Sequence, residues 1–337
     1  MRASILAALL ASGCAEPPRG ATYRGVTLPV TDLHLHPGDW KSVPASTQAF
    51  LAGRFPFPFG LQPEGLAEGV LAAEGILSEL TDAGIRRGGL FAIYAPRSVG
   101  VASNALVLEA VETDPERLFG FASLPVDAWD TDGPAALEAL DRALDAPGMV
   151  GVKLAHAHQR FRMDDERYWS IYALAAAHDA PVYLHTGPSP FPGTSQDAPY
   201  TDPAYLEAAI AANPDTDFIL GHLGHDFINQ RVGDLQGCID LASRYENVWL
   251  EPSALGSRSS DPEGENLTAS MRAIRDAGLV DRVVYGSDGP QSPGFVGDYL
   301  QRTLDAMDRS DYSVDEAARV LDGTYAALFG AAPLERP

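Results

Sequence analysis

The stretch TDLHLHPG, residues 31–38, sets two histidines two positions apart at the end of a short apolar run, and Pro37-Gly38 stops the run behind them. Residues two apart on a strand share a face, so His34 and His36 can aim two imidazoles at one point from one rigid element. The arrangement recurs along the chain. Lys153 stands in GVKL, His185 ends PVYLH, His222 ends FILGH, and Asp288 follows VVYGS. Each run is short and β-branched or aromatic, as suits a parallel strand buried on both faces. In a (β/α)8 TIM barrel the C-terminal strand ends form the catalytic mouth. Imidazoles and a carboxylate gathered there predict a divalent metal with open coordination positions, which is hydrolytic or lyase chemistry rather than a structural site.

The remaining pattern agrees with a barrel. Strands are predicted at 27–35, 88–94, 118–124, 149–154, 181–185, 217–222, 247–251 and 282–287. Helical patterns lie at 64–83, 104–113, 135–143, 168–178, 203–212, 267–277 and 297–308, with a last helix at 313–329. Alternating strands and helices are the mark of parallel βα units. Thr201-Asp202-Pro203 reads as a cap followed by Pro at the first helical position, and Ser313 with Glu316 three residues on reads as a capping box. The barrel is predicted over residues 26–330. Two long connections, 37–63 and 186–202, follow the first and fifth strands. They are expected to cover the mouth and shape a partly apolar substrate pocket. The sequence contains no internal repeat and no transmembrane span.

Composition narrows the partners. A formal net charge of -22 over 337 residues argues against nucleic acid, whose phosphates would be repelled. A small-molecule substrate is expected instead. The chain has 22 arginines and only two lysines, Lys41 and Lys153. A lysine kept at a strand end is informative against that background, because an amine can form a carbamate or act as a compact titratable charge and a guanidinium cannot. The N-terminus, MRASILAALLASGCAEPPRG, has a positive start, a short apolar run and a small-residue site ending in Cys14. That run is too short to span a bilayer as a mature helix and resembles a bacterial lipoprotein signal. Residues 1–14 are expected to be this signal, with cleavage before a lipidated Cys14, and 15–25 to be a tether. The protein is then exported, membrane-anchored or periplasmic. Cys238 is left alone as a buried small hydrophobe, with no disulfide.

Asp288 can bind metal and take a proton from water. His222 has two competing roles, ligand of a second metal or general base, and imidazole suits a base near neutral pH. His156, just after GVKL, and His225, after GHLG, are candidate substrate contacts.

As an ordered set, DLHLH, GVKL with Gln159 and Phe161 after it, PVYLHTG, ILGHLGH, NVWLE and YGSDGP resemble the amidohydrolase superfamily, within it the amidohydrolase-related group that includes decarboxylases. The resemblance runs from about Val26 to Phe329. It implies a (β/α)8 barrel and one or two divalent metals. Carried over by motif, His34, His36, His185 and Asp288 match the mononuclear ligand set, and His222 matches the histidine that activates or orients water. Lys153 is either a carbamylated bridge between two metals or, with the single metal preferred here, a group that holds a substrate carboxylate or stabilises an oxyanion. Glu251, at the end of NVWLE, is read as a supporting residue. The chain departs from the family where His-Pro is common and Ala155-His156 stand, and where Gly-Asn-Ala is common and Gly323-Thr324-Tyr325 stand.

The expectation is a hydrolase of a small amide, ester or lactone, with one zinc ion as cofactor. A metal-dependent decarboxylase of an aromatic or enoic acid is the alternative. A non-catalytic binding lipoprotein on the same barrel is the third reading, and the intact ligand set speaks against it.

Overall fold

The computed structural model describes residues 20–54, 59–255, 257–258 and 261–335. The expected signal segment, residues 1–14, lies outside them. β1 (Ala21–Tyr23) and β2 (Val26–Leu28) form an antiparallel hairpin. Its turn is Arg24-Gly25, with φ of 46° and 79°, the positive pair that a two-residue hairpin requires. Residues 21–25, expected in the tether, are therefore part of the fold. Tyr23 is buried, and its hydroxyl donates to the Tyr312 carbonyl at 2.7 Å. The predicted run 27–35 divides at Pro29, which has no N–H to give a ladder.

β3 (Thr31–Leu35) is the first barrel strand. β4 (Arg87–Phe91) is the second, and β5 (Ile93–Ala95) with β6 (Gly100–Ala102) form a small ribbon after it. β7 (Leu118–Ala122), β8 (Met149–Leu154), β9 (Val182–His185), β10 (Phe218–Gly221) and β11 (Val248–Glu251) follow. The sheet runs β3-β4-β7-β8-β9-β10-β11, every pair parallel. Residues 283–289 close the curl. Val283 bridges Leu250 of β11 and Gly289 bridges Leu35 of β3. Leu33 N donates to Tyr285 O at 2.9 Å, Asp288 N to His34 O at 2.9 Å, and His36 N to Gly289 O at 2.7 Å. Asp32 staples the same seam by accepting from the backbone of His34 at 3.0 Å and of Ser287 at 2.9 Å. The protein is an α/β TIM barrel, as the motif order predicts.

Leu33, Phe91, Phe119, Phe121, Tyr183 and Ile219 from the strands, Val284 from the closing segment and Tyr325 from the C-terminal helix Thr324–Leu328 pack as one buried cluster. Gly151 makes room for Phe121, since a Cβ there would collide with its ring. The larger apolar cluster joins the strands to residues of the surrounding helices such as Leu80, Leu140, Ile171, Ile210 and Met271. The predicted helix 104–113 is Asn104–Thr113. The predicted 64–83 is two helices, Pro63–Leu71 and Ala73–Asp82, broken at the extended Ala72. Helix Leu235–Arg244 was not anticipated; it buries Leu235, Cys238, Ile239 and Leu241.

The first long connection folds into a turn at Trp40–Ser42 and helix Ala45–Ala52. Phe50 of that helix packs on Phe191 of the second connection, ring centroids 5.3 Å apart. The two connections therefore meet. Replacing the buried Tyr23 by Ala should cost about 3–5 kcal/mol, read from denaturant unfolding; a hairpin that is only a tether would leave stability unchanged.

Candidate metal centre

The closure of the barrel joins the first and last motifs. His34 Nε2 lies 3.0 Å from His36 Nε2, and Asp288 Oδ1 lies 3.0 Å from His36 Nε2 and 3.1 Å from His34 Nε2. Three ligand atoms thus form a triangle about 3 Å on edge. His222 approaches two of them: His34, His222 and Asp288 each offer a ligand atom, all within 4.8 Å of one another.

The outer atoms of these imidazoles are held. Tyr183 donates its hydroxyl hydrogen to Glu251 Oε2 at 2.8 Å, so its oxygen is free to accept from His34 Nδ1 at 2.9 Å. Ser253 Oγ and Glu251 Oε1 also lie near His34 Nδ1, at 3.0 and 3.4 Å. That environment puts the proton of His34 on Nδ1 and leaves the Nε2 lone pair facing Asp288. His222 Nδ1 lies 3.2 Å from the carbonyl oxygen of Ser253, which can only accept. Ser253 Oγ lies 3.0 Å from the same nitrogen; with the His222 proton on Nδ1 both oxygens can accept it, and Nε2 is left as an acceptor. Two glycines make this network possible. A Cβ at Gly221 would collide with the Tyr183 hydroxyl, and one at Gly286 with Glu251 and with His34.

The backbone is strained where the chemistry sits. His222 and Asp288 have φ of 63° and 64°, and Leu223 has 50°. Non-glycine residues adopt this region at a cost and cluster at functional sites.

Burial and charge shape the electrostatics. Burial pushes Asp288 up, but His34 and the contacts from His34 and His36 overcome it and hold the carboxyl well below the usual range. Burial pushes His34 down, but Asp288 and Glu251 overcome it and raise it. Burial depresses His36, and it brings His222 down to about 4. Burial, then the neighbouring His222, holds His185 well below its ordinary value. The depressed imidazoles of His36, His185 and His222 beside an ionised carboxylate suit a divalent metal, and the raised His34 would release any proton on Nε2 when it bound one.

The remaining candidates are placed as follows. His185 packs on His222, ring centroids 4.4 Å apart, with its Nε2 buried and without a hydrogen-bond partner. Lys153 is buried with Nζ 4.0 Å above the Tyr183 ring and 4.8 Å above Phe91. Among the described residues no carboxylate lies within ion-pair distance of it; burial, partly offset by Asp288 and Glu251, brings it down to about 7. His156 does not reach the cluster. It stacks on Phe161 at 4.2 Å, with both ring nitrogens unpartnered. His225 packs on Phe227 at 4.7 Å, and Phe227 in turn packs on His222 at 5.5 Å, so a phenyl ring stands between His225 and the cluster.

Three residues escaped the sequence reading. Tyr183 sits two before His185 and shares its face of β9. Ser253 sits two after Glu251. His158 packs on His185 with ring centroids 5.0 Å apart. The alternation of strand faces could have flagged Tyr183; nothing local distinguishes His158 from His156.

The sequence profile of the amidohydrolase family matches residues 31–331. The chain belongs to the amidohydrolase family. A curated relative, the decarboxylase orsB of Emericella nidulans, is 27% identical over 212 residues, covering 53% of this chain. The matched part spans 60% of that relative's length. An uncharacterised TIM-barrel protein from Bordetella bronchiseptica superposes with a TM-score of 0.68 at 20% identity, over 90% of this chain and 99% of its own. A probable 2-pyrone-4,6-dicarboxylic acid hydrolase from Acinetobacter baumannii, with citric acid bound, gives 0.60 at 17% identity, over 89% and 99%. A dihydroxybenzoic acid decarboxylase from Polaromonas sp. JS666, with bound manganese and the inhibitor 2-nitroresorcinol, gives 0.61 at 19%, over 90% and 97%. At these identities the likeness is one of fold, and that fold carries both hydrolases and decarboxylases.

Tyr183→Phe should weaken metal affinity about 10- to 100-fold, the usual effect of losing a group that orients a ligand. Chelator competition reads this, with an unchanged circular dichroism spectrum as the control for folding.

Proposed function

We propose that the protein is a metal-dependent hydrolase of a small ester, lactone or amide, acting in the mouth of the barrel. The observation that carries this reading is the triangle of His34 Nε2, His36 Nε2 and Asp288 Oδ1, with edges of 3.0–3.1 Å, beside the free Nε2 of His222. The donor set fits a divalent metal. Lone pairs converge where a cation satisfies all three, and the triangle is near the spacing of about 3.4 Å that tetrahedral ligands at about 2.1 Å would have. As the fourth donor we assign His185, whose ring lies against His222 and whose Nε2 is buried and without a hydrogen-bond partner. Three imidazoles and a carboxylate suit zinc, and one ion per chain is the assignment we favour. When bound, the ion supplies Lewis acidity toward a carbonyl and lowers the pKa of water.

The protein's own groups do the rest. His222, its Nδ1 occupied by the Ser253 carbonyl, accepts a proton from the attacking water at Nε2 and returns it to the leaving group. Asp288, kept ionised, is a second acceptor. Lys153 offers a desolvated ammonium to a substrate carboxylate or to the developing oxyanion. Its position over two aromatic rings supports this role better than that of a bridge between two ions.

Decarboxylation of an aromatic or enoic acid is the second reading. A buried cation that binds carboxylate would serve it equally, and the match to a decarboxylase favours it. Incubating the zinc-loaded protein with small carboxylate-bearing esters and lactones, and separately with hydroxybenzoic acids, decides between them. Acid release without carbon dioxide is expected; carbon dioxide release from the aromatic acids alone would replace the hydrolase by the lyase.

His222→Ala should keep one metal per chain, measured by elemental analysis, while turnover falls by about a hundred- to ten-thousandfold. His36→Ala should lose metal and activity together. A wild type with two metals per chain, reduced to one in Lys153→Ala, would instead make Lys153 a carbamylated bridge.

A further inference from the structure

His222 is aimed by an uncommon piece of backbone. At the end of β10 the chain runs through three consecutive left-handed residues, His222, Leu223 and Gly224, with φ of 63°, 50° and 66°. Two of them carry a Cβ and adopt this region at a cost, which persists only where the surroundings hold it. The turn sends its side chains to different places. The His222 ring packs against His34 and His185, with centroids 5.2 and 4.4 Å away, whereas Leu223 is buried in the larger apolar cluster. Thr186, the residue after His185, lies at both ends of this turn. β9 and β10 run parallel with His185 opposite Gly221, which brings Thr186 alongside. The Thr186 side chain is fully buried; its hydroxyl donates to the Gly221 carbonyl at 2.7 Å and accepts from the Gly224 N–H at 2.8 Å. The two roles are fixed, because a carbonyl only accepts and an amide N–H only donates. The Cys238 thiol, 4.0 Å from the same oxygen, is a weak third contact. Gly187 completes the fit, since a Cβ there would collide with the backbone of Gly224 and His225.

We propose that Thr186 is the positioning residue for His222: its hydroxyl locks the left-handed turn 222–224 and so fixes where the imidazole stands against the metal cluster. The proposal rests on the reading of His222 as the group that carries the proton, and it holds for hydrolysis and for decarboxylation alike. Thr186 acts through the turn and not on the substrate. Because it directly follows His185, the spacing between that histidine and His222 is set by two adjacent strand ends joined through one hydroxyl.

Thr186→Val keeps the shape of the side chain and removes the hydroxyl, which leaves the Gly224 N–H without its partner; Thr186→Ser restores the hydroxyl. Two readouts separate positioning from mere support of the fold. The first is the ring of His222, followed by NMR in the full chain made with isotope-labelled histidine, with and without added zinc, and assigned by the signals lost in His222→Ala. Thr186→Val should shift or broaden these signals and leave those of His178 in place, and Thr186→Ser should restore them. The second is turnover on whichever of the ester, lactone or hydroxybenzoic acid substrates the wild type accepts. Thr186→Val should lower kcat about a hundredfold, as a small misplacement of a reacting group does, with KM and zinc content little changed. Thr186→Ser should recover most of that loss. In a His222→Ala background Thr186→Val should add nothing, because both changes remove one function. Thr186→Ala, which is smaller and strains nothing, carries both readouts if the valine variant is unstable. Unmoved His222 signals overturn the proposal, and so does a loss of turnover that adds to that of His222→Ala. Loss of zinc together with turnover also overturns it, making Thr186 a support for His185. If the wild type turns over none of these substrates, the proposed function fails and the ring signals alone decide whether Thr186 positions His222.

Discussion

The hydrogen bonds between β3 and residues 283–289 are the constraint on which the site depends. His36 and Asp288 are 252 residues apart in the chain, yet their ligand atoms lie 3.0 Å apart. Nothing local enforces that approach. It follows from closing a curled parallel sheet on itself, with Asp288 N bonded to His34 O and His36 N bonded to Gly289 O. A slip of one residue along this seam would turn His34 and His36 to the wrong face, since strand side chains alternate. Asp32 guards the register by bridging the backbone of His34 and Ser287 from a buried position.

A buried cluster of titratable groups is expensive unless each has a partner. The protein meets that cost by layering. Asp288 is stabilised by His34 and His36, His34 by Glu251, Tyr183 and Ser253, and His222 by the Ser253 carbonyl. The glycines at 221 and 286 give Tyr183 and Glu251 the space they occupy. Positive φ at His222 and Asp288 shows where the backbone itself is bent to aim a side chain. Local strain of this kind persists only where surrounding packing over-determines it, and here barrel strands supply that packing.

Solved proteins that share this fold include a probable hydrolase and a decarboxylase. Fold alone does not choose between them. What distinguishes one member from another is the set of groups that face the substrate from the connections above the strands. In this chain those connections form a contiguous cover, tied by Phe50 to Phe191 and by Thr47 to Ser98. Connections of this kind, held on a rigid barrel, are where such scaffolds usually set substrate preference.

The sequence by itself determined the barrel and the identities of the residues in its mouth. Strand periodicity, strand-end position and motif order are local properties, so His34, His36, His222 and Asp288 could be named from them. It also marked Glu251 as a supporting residue, though not what it supports. Tertiary structure decided the rest. Tyr23 belongs to the fold because Tyr312 meets it 289 residues away, and a tether-like composition carries no trace of that contact. His158 rather than His156 approaches the cluster because a short helix turns one imidazole toward His185 and the other onto Phe161. His225 is screened by Phe227, although it stands only three residues from His222. Periodicity says which face of an element a side chain occupies. Which groups meet across the mouth is set by closure of the sheet and by packing of connections distant in sequence, and those are properties of the assembled chain.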